Sequence, residues 1–420
     1  MATPTGTHSP DAPAGSTTAT AGRGAAAGTS AHAVGVAAAR VALIGVHGFG
    51  THHLRNLERL QAAGAVELVA VADPQPPSAG SVPASARVYP GLDELRSATT
   101  GLDLVIVATP IQTHAPLALA ALRTGADLYL EKPPVASLGD FDRLCDAAAE
   151  SGRSVQIGFQ SLGSHALQEI ENLVAAGTLG TLKGISATGR WVRDRAYYKR
   201  SRWAGKRSIN GVDVVDGVAT NPLAHAVATA LRIAGARTTA DVASVETELY
   251  RANDIESDDT SVIRIRTASG LPITCALTIC ASESVEPYIT LQGSAGTAVF
   301  HYTEDRLTVT TASGTTEETY GRDDLTENLL AHRNSGSPLI SPLLDSGAFM
   351  LVLEAVRTAP LPAVIGDAHV RWEGYGEAAH AVVVDIEAAL ERVGREHATF
   401  SELGLPWATS APCAFSVPAS

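Results

Sequence analysis

Five short strand-like runs recur between residues 41 and 159, and their recurrence limits the fold more than any other feature of the chain. They are Val41-Ala42-Leu43-Ile44, Leu68-Val69-Ala70-Val71-Ala72, Leu104-Val105-Ile106-Val107-Ala108, Asp127 to Leu130, and Val155-Gln156-Ile157-Gly158-Phe159. Runs without polar alternation belong to strands buried on both faces, as in a parallel sheet. Helical patterns fall between them. Leu54, Leu57 and Leu60 share one side of the first, Pro116 and Gly125 bound another, and Phe141 to Ser151 reads as a third;. Strand and helix alternating over about 120 residues predict a doubly wound parallel sheet of the Rossmann type.

The first strand runs into Gly45-Val46-His47-Gly48-Phe49-Gly50 and then a helix. Strand, glycine-rich turn and helix is the context in which a dinucleotide fingerprint acquires meaning, because the helix N-terminus offers amides to a pyrophosphate. Gly45 and Gly50 occupy the outer positions of G-x-G-x-x-G, but His47 stands at the middle one. That glycine ordinarily lets the backbone approach the phosphates. Either Gly48 takes over or the His47 side chain points away; a glycine-rich turn with no ligand is the plain alternative. The second strand ends at Asp73, twenty-three residues after Gly50. An acid there accepts both ribose hydroxyls and repels a 2′-phosphate, which favours NAD over NADP.

The fourth strand stops at Glu131-Lys132-Pro133-Pro134. Proline lacks the N–H that pairing requires and disfavours helical backbone at the residue before it. Lys132 is thereby presented from the carboxyl end of a strand, where open α/β sheets bind ligands. Ala108-Thr109-Pro110, His114 four residues on, and Glu131-Lys132-Pro133 after the next strand together resemble the Gfo/Idh/MocA oxidoreductases, the family of glucose–fructose oxidoreductase and inositol dehydrogenase. The resemblance spans roughly residues 39 to 400. It implies that Lys132 stands beside the nicotinamide and the reacting carbinol. It also implies cofactor roles for Asp73, the Gly45–Gly50 turn (His47, Gly48 and Phe49 included) and Glu131, with Thr109, Pro110 and His114 along the cofactor cleft.

Beyond residue 160, alternation marks strands at Gly184 to Val192, Val242 to Tyr250, Thr260 to Ile265, Ile273 to Ile279, Tyr288 to Leu291 and Leu307 to Thr310. Turn residues separate most of them, which predicts a largely antiparallel sheet in an α+β domain. Helical patterns run from Ser341 to Arg357 and from Val370 to Val393. The domain limits expected are 39–160 for dinucleotide binding and 161–402 for the α+β part, with residues 1–38 a disordered tail and 403–420 a C-terminal tail;. By the resemblance, the open face of the second sheet makes homo-oligomer contacts.

Two stretches of this half carry chemistry. From Arg190 to Arg207 basic and aromatic residues interleave. Stacking rings beside cations suit single-stranded nucleic acid. They equally suit a substrate lid in which Arg195, Tyr198, Arg200 and Trp203 hold a sugar, or a solvated loop paired with acids. The chain has 31 Lys plus Arg against 44 Asp plus Glu, a formal charge of −13, which weighs against nucleic acid and anionic membrane;. The second stretch is Asn221-Pro222-Leu223-Ala224-His225, where Asn221 suits a helix N-cap and Pro222 the first helical position;. In the family an aspartate and a histidine stand in this i, i+4 relation, the histidine serving as acid or base. His225 matches, and the resemblance implies that it titrates near neutrality and is the final proton acceptor; Asn221 replaces the aspartate. Without the resemblance, a histidine on an alanine-rich helix is a packed core residue.

The four cysteines show no metal-ligand spacing and no disulfide framework, and no apolar run approaches the roughly 18 residues a membrane helix needs;. These features suit a metal-free cytoplasmic enzyme. The expected activity is hydride transfer between NAD and a secondary alcohol or ketone of a sugar, cyclitol or related polyol. An NAD-assisted glycoside-cleaving enzyme and a non-catalytic dinucleotide sensor are the alternatives.

Overall fold

The computed structural model describes residues 37–417, so the N-terminal tail expected at 1–38 lies almost wholly outside the described residues. Six parallel strands form the first sheet: β1 (Ala39–Ile44), β2 (Val66–Ala72), β3 (Arg87–Tyr89), β4 (Leu104–Val107), β5 (Asp127–Leu130) and β6 (Val155–Ile157). Their order is β3-β2-β1-β4-β5-β6, reversing between β1 and β4. A crevice opens outside the carboxyl ends of the strands at such a reversal, and that is where ligands bind. The short edge strand β3 is absent from the apolar pattern, since two of its three residues are exposed.

Four helices cross between these strands: α1 (Gly50–Ala62), α2 (Leu92–Ala98), α3 (His114–Leu122) and α4 (Leu138–Ser151). On one face of the sheet Leu54, Leu57 and Leu60 of α1 pack on Val41, Leu43 and Ile106. On the other, Ala118 and Leu122 of α3 and Phe141 and Leu144 of α4 join Ala42, Val105 and Leu128 in a core that continues unbroken into the second half. Helices on both faces explain the lack of polar alternation in the strands.

The second half contains α5 (Ala166–Ala175), β7 (Leu182–Arg190), the five-residue helix α6 (Arg195–Lys199), the small ribbon β8 (Ser208–Ile209) and β9 (Val212–Asp213), and α7 (Ala224–Ile233). Seven strands follow: β10 (Val242–Arg251), β11 (Thr260–Thr267), β12 (Pro272–Thr278), β13 (Tyr288–Gly293), β14 (Gly296–His301), β15 (Arg306–Thr311) and β16 (Gly314–Thr319). Then come α8 (Leu325–Ser335), α9 (Gly347–Thr358), β17 (Ala363–Val364), β18 (Val370–Glu373), β19 (His380–Val383), α10 (Ile386–Glu396) and β20 (Cys413–Phe415). The large sheet is open, ordered β16-β15-β14-β13-β7-β12-β11-β10-β17, with β20 on β10. Its pairs are antiparallel except β7 with β12 and β10 with β17.

Three sequence expectations are corrected. The helix predicted from Val370 begins only at Ile386; residues 370–383 form the β18–β19 hairpin, turned by Gly374 and Gly376 at φ of 75° and 60°. The C-terminal segment 403–420 is not a loose tail in its described part. Trp407 is buried against Tyr250 and Phe400, and β20 extends the large sheet. The division at residue 160 is not clean either. Leu325, Leu329 and Leu330 of α8 pack on the face of the first sheet that α1 covers, and Gln156 of β6 donates to Leu325 O and Asn328 Oδ1.

Candidate active site

The turn after β1 is built by its outer glycines. Gly45 has φ 87°, and a Cβ there would collide with the Ala108 carbonyl at the end of β4. A Cβ on Gly50 would collide with the carbonyl of Gly45, so α1 can start against the strand only without side chains at both positions;. Gly48 takes up the left-handed conformation, φ 55°, with open space around it. His47 is exposed and its Nε2 lies 3.3 Å from Gln75 O, turned toward the β2 loop. Among the described residues the amides of His47, Gly48 and Phe49 have no backbone or side-chain acceptor, whereas those of Gly50, Thr51 and His52 bond back to His47, Gly48 and Phe49. Three successive free N–H groups before a 13-residue helix form an anion cradle that fits a pyrophosphate despite the missing central glycine;. Asp73 closes the same corner, its two oxygens accepting from the amides of Val46 and Gln75, both at 2.9 Å.

β5 delivers the glutamate-lysine-proline turn, whose Lys132–Pro133 peptide is cis. Glu131 is buried and faces α1: its Oε1 lies 2.8 Å from His53 Nε2. His114 is only 1 % exposed, so it does not line the cleft surface. Its ring joins Thr109 O (2.8 Å) to Pro133 O (2.9 Å), tying the end of β4 to the end of β5. Burial holds its pKa below the ordinary value, although the surrounding carbonyl oxygens of Thr109 and Pro133 favour protonation. Glu131 and His114 thus brace the Lys132 turn from two sides, while Thr109 is half-buried and Pro110 exposed.

Lys132 Nζ donates to both oxygens of Asn221, the backbone and the side-chain one, each at 3.0 Å. Burial lowers its pKa, Glu131 and Asp216 raise it, and Arg200 lowers it; the net direction is down. Asn221 is not an N-cap. The helix starts later, at Ala224, and residues 218–223 form a turn that is buried except at half-buried Asn221 and Pro222. In that turn Asn221 Nδ2 donates to Asp216 Oδ1 at 2.6 Å. The other oxygen of Asp216 accepts from Gly205 N (2.7 Å) and from the Arg200 guanidinium (3.2 Å). Val215, just before Asp216, has φ 51°, which a β-branched residue avoids;. Such backbone persists where its surroundings over-determine it. Here the Thr220 hydroxyl bonds Val215 O, and Gly217 packs so closely on buried Asp258 that no Cβ would fit.

His225, in the first turn of α7, has its Nδ1 3.3 Å from Ser161 Oγ, which accepts from Thr229 at 2.9 Å. Burial first, then Lys132, then Arg322 push its pKa down to about 3. The expectation that His225 titrates near neutrality therefore fails, because three influences favour the neutral ring and no carboxylate touches it.

Residues 39–159 match the model of the oxidoreductase family with an NAD-binding Rossmann fold. Residues 167–299 match the GFO/IDH/MocA C-terminal domain. The two matches together cover more than half of the 420 residues. The chain belongs to the Gfo/Idh/MocA family. Among curated relatives, it is 38 % identical to inositol 2-dehydrogenase 3 of Saccharopolyspora erythraea over 146 residues, 34 % of this chain and 42 % of that protein. It is 27 % identical to the scyllo-inositol 2-dehydrogenase (NAD(+)) of Bacillus subtilis over 143 residues, 34 % of this chain and 41 % of that one. The aligned part thus spans about two-fifths of the length of these relatives. Among solved structures, the WlbA dehydrogenase from Bordetella pertussis in complex with NADH and UDP-GlcNAcA superposes with a TM-score of 0.63 at 21 % identity, covering 76 % of this chain and 95 % of that one. A levoglucosan dehydrogenase complex with NADH gives the same TM-score and coverage at 16 % identity. These likenesses bear on the fold.

Within this Gfo/Idh/MocA chain the basic-aromatic stretch divides. Arg200 reaches Asp216 and stacks on Tyr197 and Trp203, with its guanidinium carbon 3.6 and 4.6 Å from the ring centres. Arg195 points elsewhere, over Trp372 of the β18–β19 hairpin at 4.7 Å. Tyr198 turns inward toward Asn253, 3.4 Å from its hydroxyl, and burial raises its pKa well above the usual value. The structure therefore brings Arg200 and Trp203 toward the Lys132 network and leaves Arg195 and Tyr198 outside it. Sequence reasoning missed Asp216, Tyr197 and Ser161. Asp216 had one signal, an isolated acid inside Val214-Val215-Asp216-Gly217-Val218. Also unforeseen is a cavity of about 380 Å³ lined by Phe49, His53, Tyr129, Gln160 and Arg322, beside the start of α1.

Proposed function

We propose that the protein is an NAD-dependent dehydrogenase of a secondary alcohol in a sugar, cyclitol or related polyol, with Lys132 as the proton-transfer group at the carbinol. The free amides of the β1–α1 turn would hold the pyrophosphate of NAD, which would supply the hydride acceptor for the carbinol and the hydride donor for the ketone;. The observation that carries the reading is the bonding of Lys132. An amine held by two carbonyl oxygens has both N–H groups occupied, so its lone pair occupies the remaining direction and can take a hydroxyl proton. The ammonium held in the same way has one N–H left, which can be given to a ketone oxygen. Asn221 accepts from either state, and burial lowers the pKa of Lys132, which favours the neutral amine relative to a solvated lysine;. His225, neutral at working pH, orients the substrate by hydrogen bonding. Arg200 and Trp203 border the site from the lid, while Asp73 faces the adenosine ribose.

The proposal extends to a homo-oligomer formed on the β13–β16 part of the large sheet, where β16 is exposed along its whole length. It extends also to a cytoplasmic setting, which four free cysteines suit;. No helix among the described residues is long and apolar enough to cross a membrane. The decisive experiment identifies the nucleotide that co-purifies and screens inositols, sugars and sugar acids for absorbance change at the reduced-nicotinamide band. Turnover of a polyol supports the reading. Tight nucleotide binding without turnover of any of them replaces it with a sensor.

A further inference from the structure

We propose that Asp216 is the positioning residue of the proton-transfer site: its carboxylate dictates which way the Asn221 amide faces, and so what Lys132 meets. The inference rests on the role given to Lys132 above. An amide side chain has a donor end and an acceptor end of nearly the same shape, and nothing in Asn221 itself chooses between them. A carboxylate only accepts. Asp216 Oδ1, 2.6 Å from Asn221 Nδ2, therefore forces the amide nitrogen toward itself and leaves Oδ1 facing Lys132 at 3.0 Å. With the amide reversed, N–H groups would confront the lysine N–H groups, and both ends would lose their partners.

Three features show that Asp216 is built for this position. It is buried, its side chain only 3 % exposed, and its second oxygen is saturated by Gly205 N and Arg200. The preceding Val215 holds a left-handed backbone conformation, φ 51°, which a β-branched residue adopts only where its surroundings over-determine it;. The salt bridge also joins the lysine network to the lid, because the same guanidinium stacks on Tyr197 and Trp203. The charged and titratable groups acting on Lys132 are Glu131 from its own turn, Asp216, Arg200 from the lid and His225 from α7. Removing Asp216 takes away an anion that favours the ammonium. Removing Arg200 takes away a cation that disfavours it. The two changes must move the titration of Lys132 in opposite directions.

The test reads Lys132 directly, by trace acetylation of the full-length protein across a pH series, with the lysine-containing peptide quantified by mass spectrometry. Asp216→Asn should shift the midpoint of Lys132 labelling to lower pH, and Arg200→Gln should shift it to higher pH. Thermal melts confirm that both variants are folded. Should Asp216→Asn fail to fold, Arg200→Gln together with Asn221→Leu, which removes the side-chain acceptor and should lower the midpoint, decides the matter. An unmoved midpoint in folded Asp216→Asn, or shifts of the same sign in Asp216→Asn and Arg200→Gln, overturns the inference. If the polyol reaction is found, Asp216→Asn should also lower kcat about 10- to 100-fold with unchanged NAD affinity, and Asp216→Glu should recover part of the loss. Opposite labelling shifts without turnover of any polyol would retain the positioning role and remove the dehydrogenase reading.

Discussion

Lys132 donates to Asn221 twice, at the backbone oxygen and at the side-chain oxygen, and both distances are 3.0 Å. Residues 89 positions apart in the chain, in the β5 turn and in the loop before α7, thus meet at a single nitrogen. In the proposed reaction the remaining valence of that nitrogen is the one that meets the substrate hydroxyl.

Loss of that nitrogen should be felt in chemistry rather than in cofactor binding. Lys132→Ala is expected to lower kcat roughly 10²–10⁴-fold, the usual contribution of a positioned acid or base. The NAD dissociation constant, measured by fluorescence titration, should change little, because the free amides lie at the β1–α1 turn.

His225 contributes an acid-sensitive term to stability. Its folded pKa is about 3, below the ordinary 6.5, so between these values the unfolded chain binds a proton that the folded chain excludes;. Stability tied to this residue is therefore intact above about pH 6.5 and declines as pH falls toward 3. Denaturant unfolding at a series of pH values should show a shallower acid loss in His225→Gln than in the parent. Parallel curves would mean that the ring is solvated.

Cofactor choice should turn on Asp73. Asp73→Ser with Gln75→Arg is expected to weaken NAD about tenfold or more and to favour NADP, since a carboxylate that repels the 2′-phosphate is replaced by a neighbouring cation. Part of the NAD loss will come from the turn itself, because Asp73 also holds Val46 N. Tighter NADP than NAD binding by the parent would remove Asp73 from the ribose site.

The two arginines of the basic-aromatic stretch should separate. Arg200→Ala is expected to raise the substrate KM several-fold, because Arg200 borders the Lys132 network through Asp216;. Arg195→Ala should leave KM and kcat within about twofold, since its partner is Trp372 on the hairpin. Equal effects of both on KM would return Arg195 to the substrate site.

The C-terminal segment should be structural. Trp407→Ala removes a ring buried between Tyr250 and Phe400 and is expected to cost about 3–5 kcal/mol in equilibrium unfolding;. A change below about 1 kcal/mol would show that the segment is only loosely applied.

The sequence by itself determined the parallel sheet, the glycine turn, the acid after β2 and the lysine after β5. Each of these depends on residues close together in the chain: strand apolarity, the φ that glycine permits, the N–H that proline lacks. The same holds for most of the antiparallel strands, whose alternation is local. What tertiary structure alone decided is which side chains share a site. Asn221 read as a helix cap because cap chemistry is local, yet its amide is taken by Asp216 and Lys132, the latter 89 residues away. His225 read as a near-neutral base because its burial and the nearness of Lys132 and Arg322 are not written in its own helix. Arg195 and Arg200, five residues apart, were indistinguishable until packing sent one to Trp372 and the other to Asp216. Val370 to Val383 carries apolar residues that suit helix or hairpin, and two glycines at positive φ with a sheet to pack on made it a hairpin. Local backbone preference is encoded in neighbouring residues, whereas charge environment and amide orientation are set by groups the fold brings in from elsewhere.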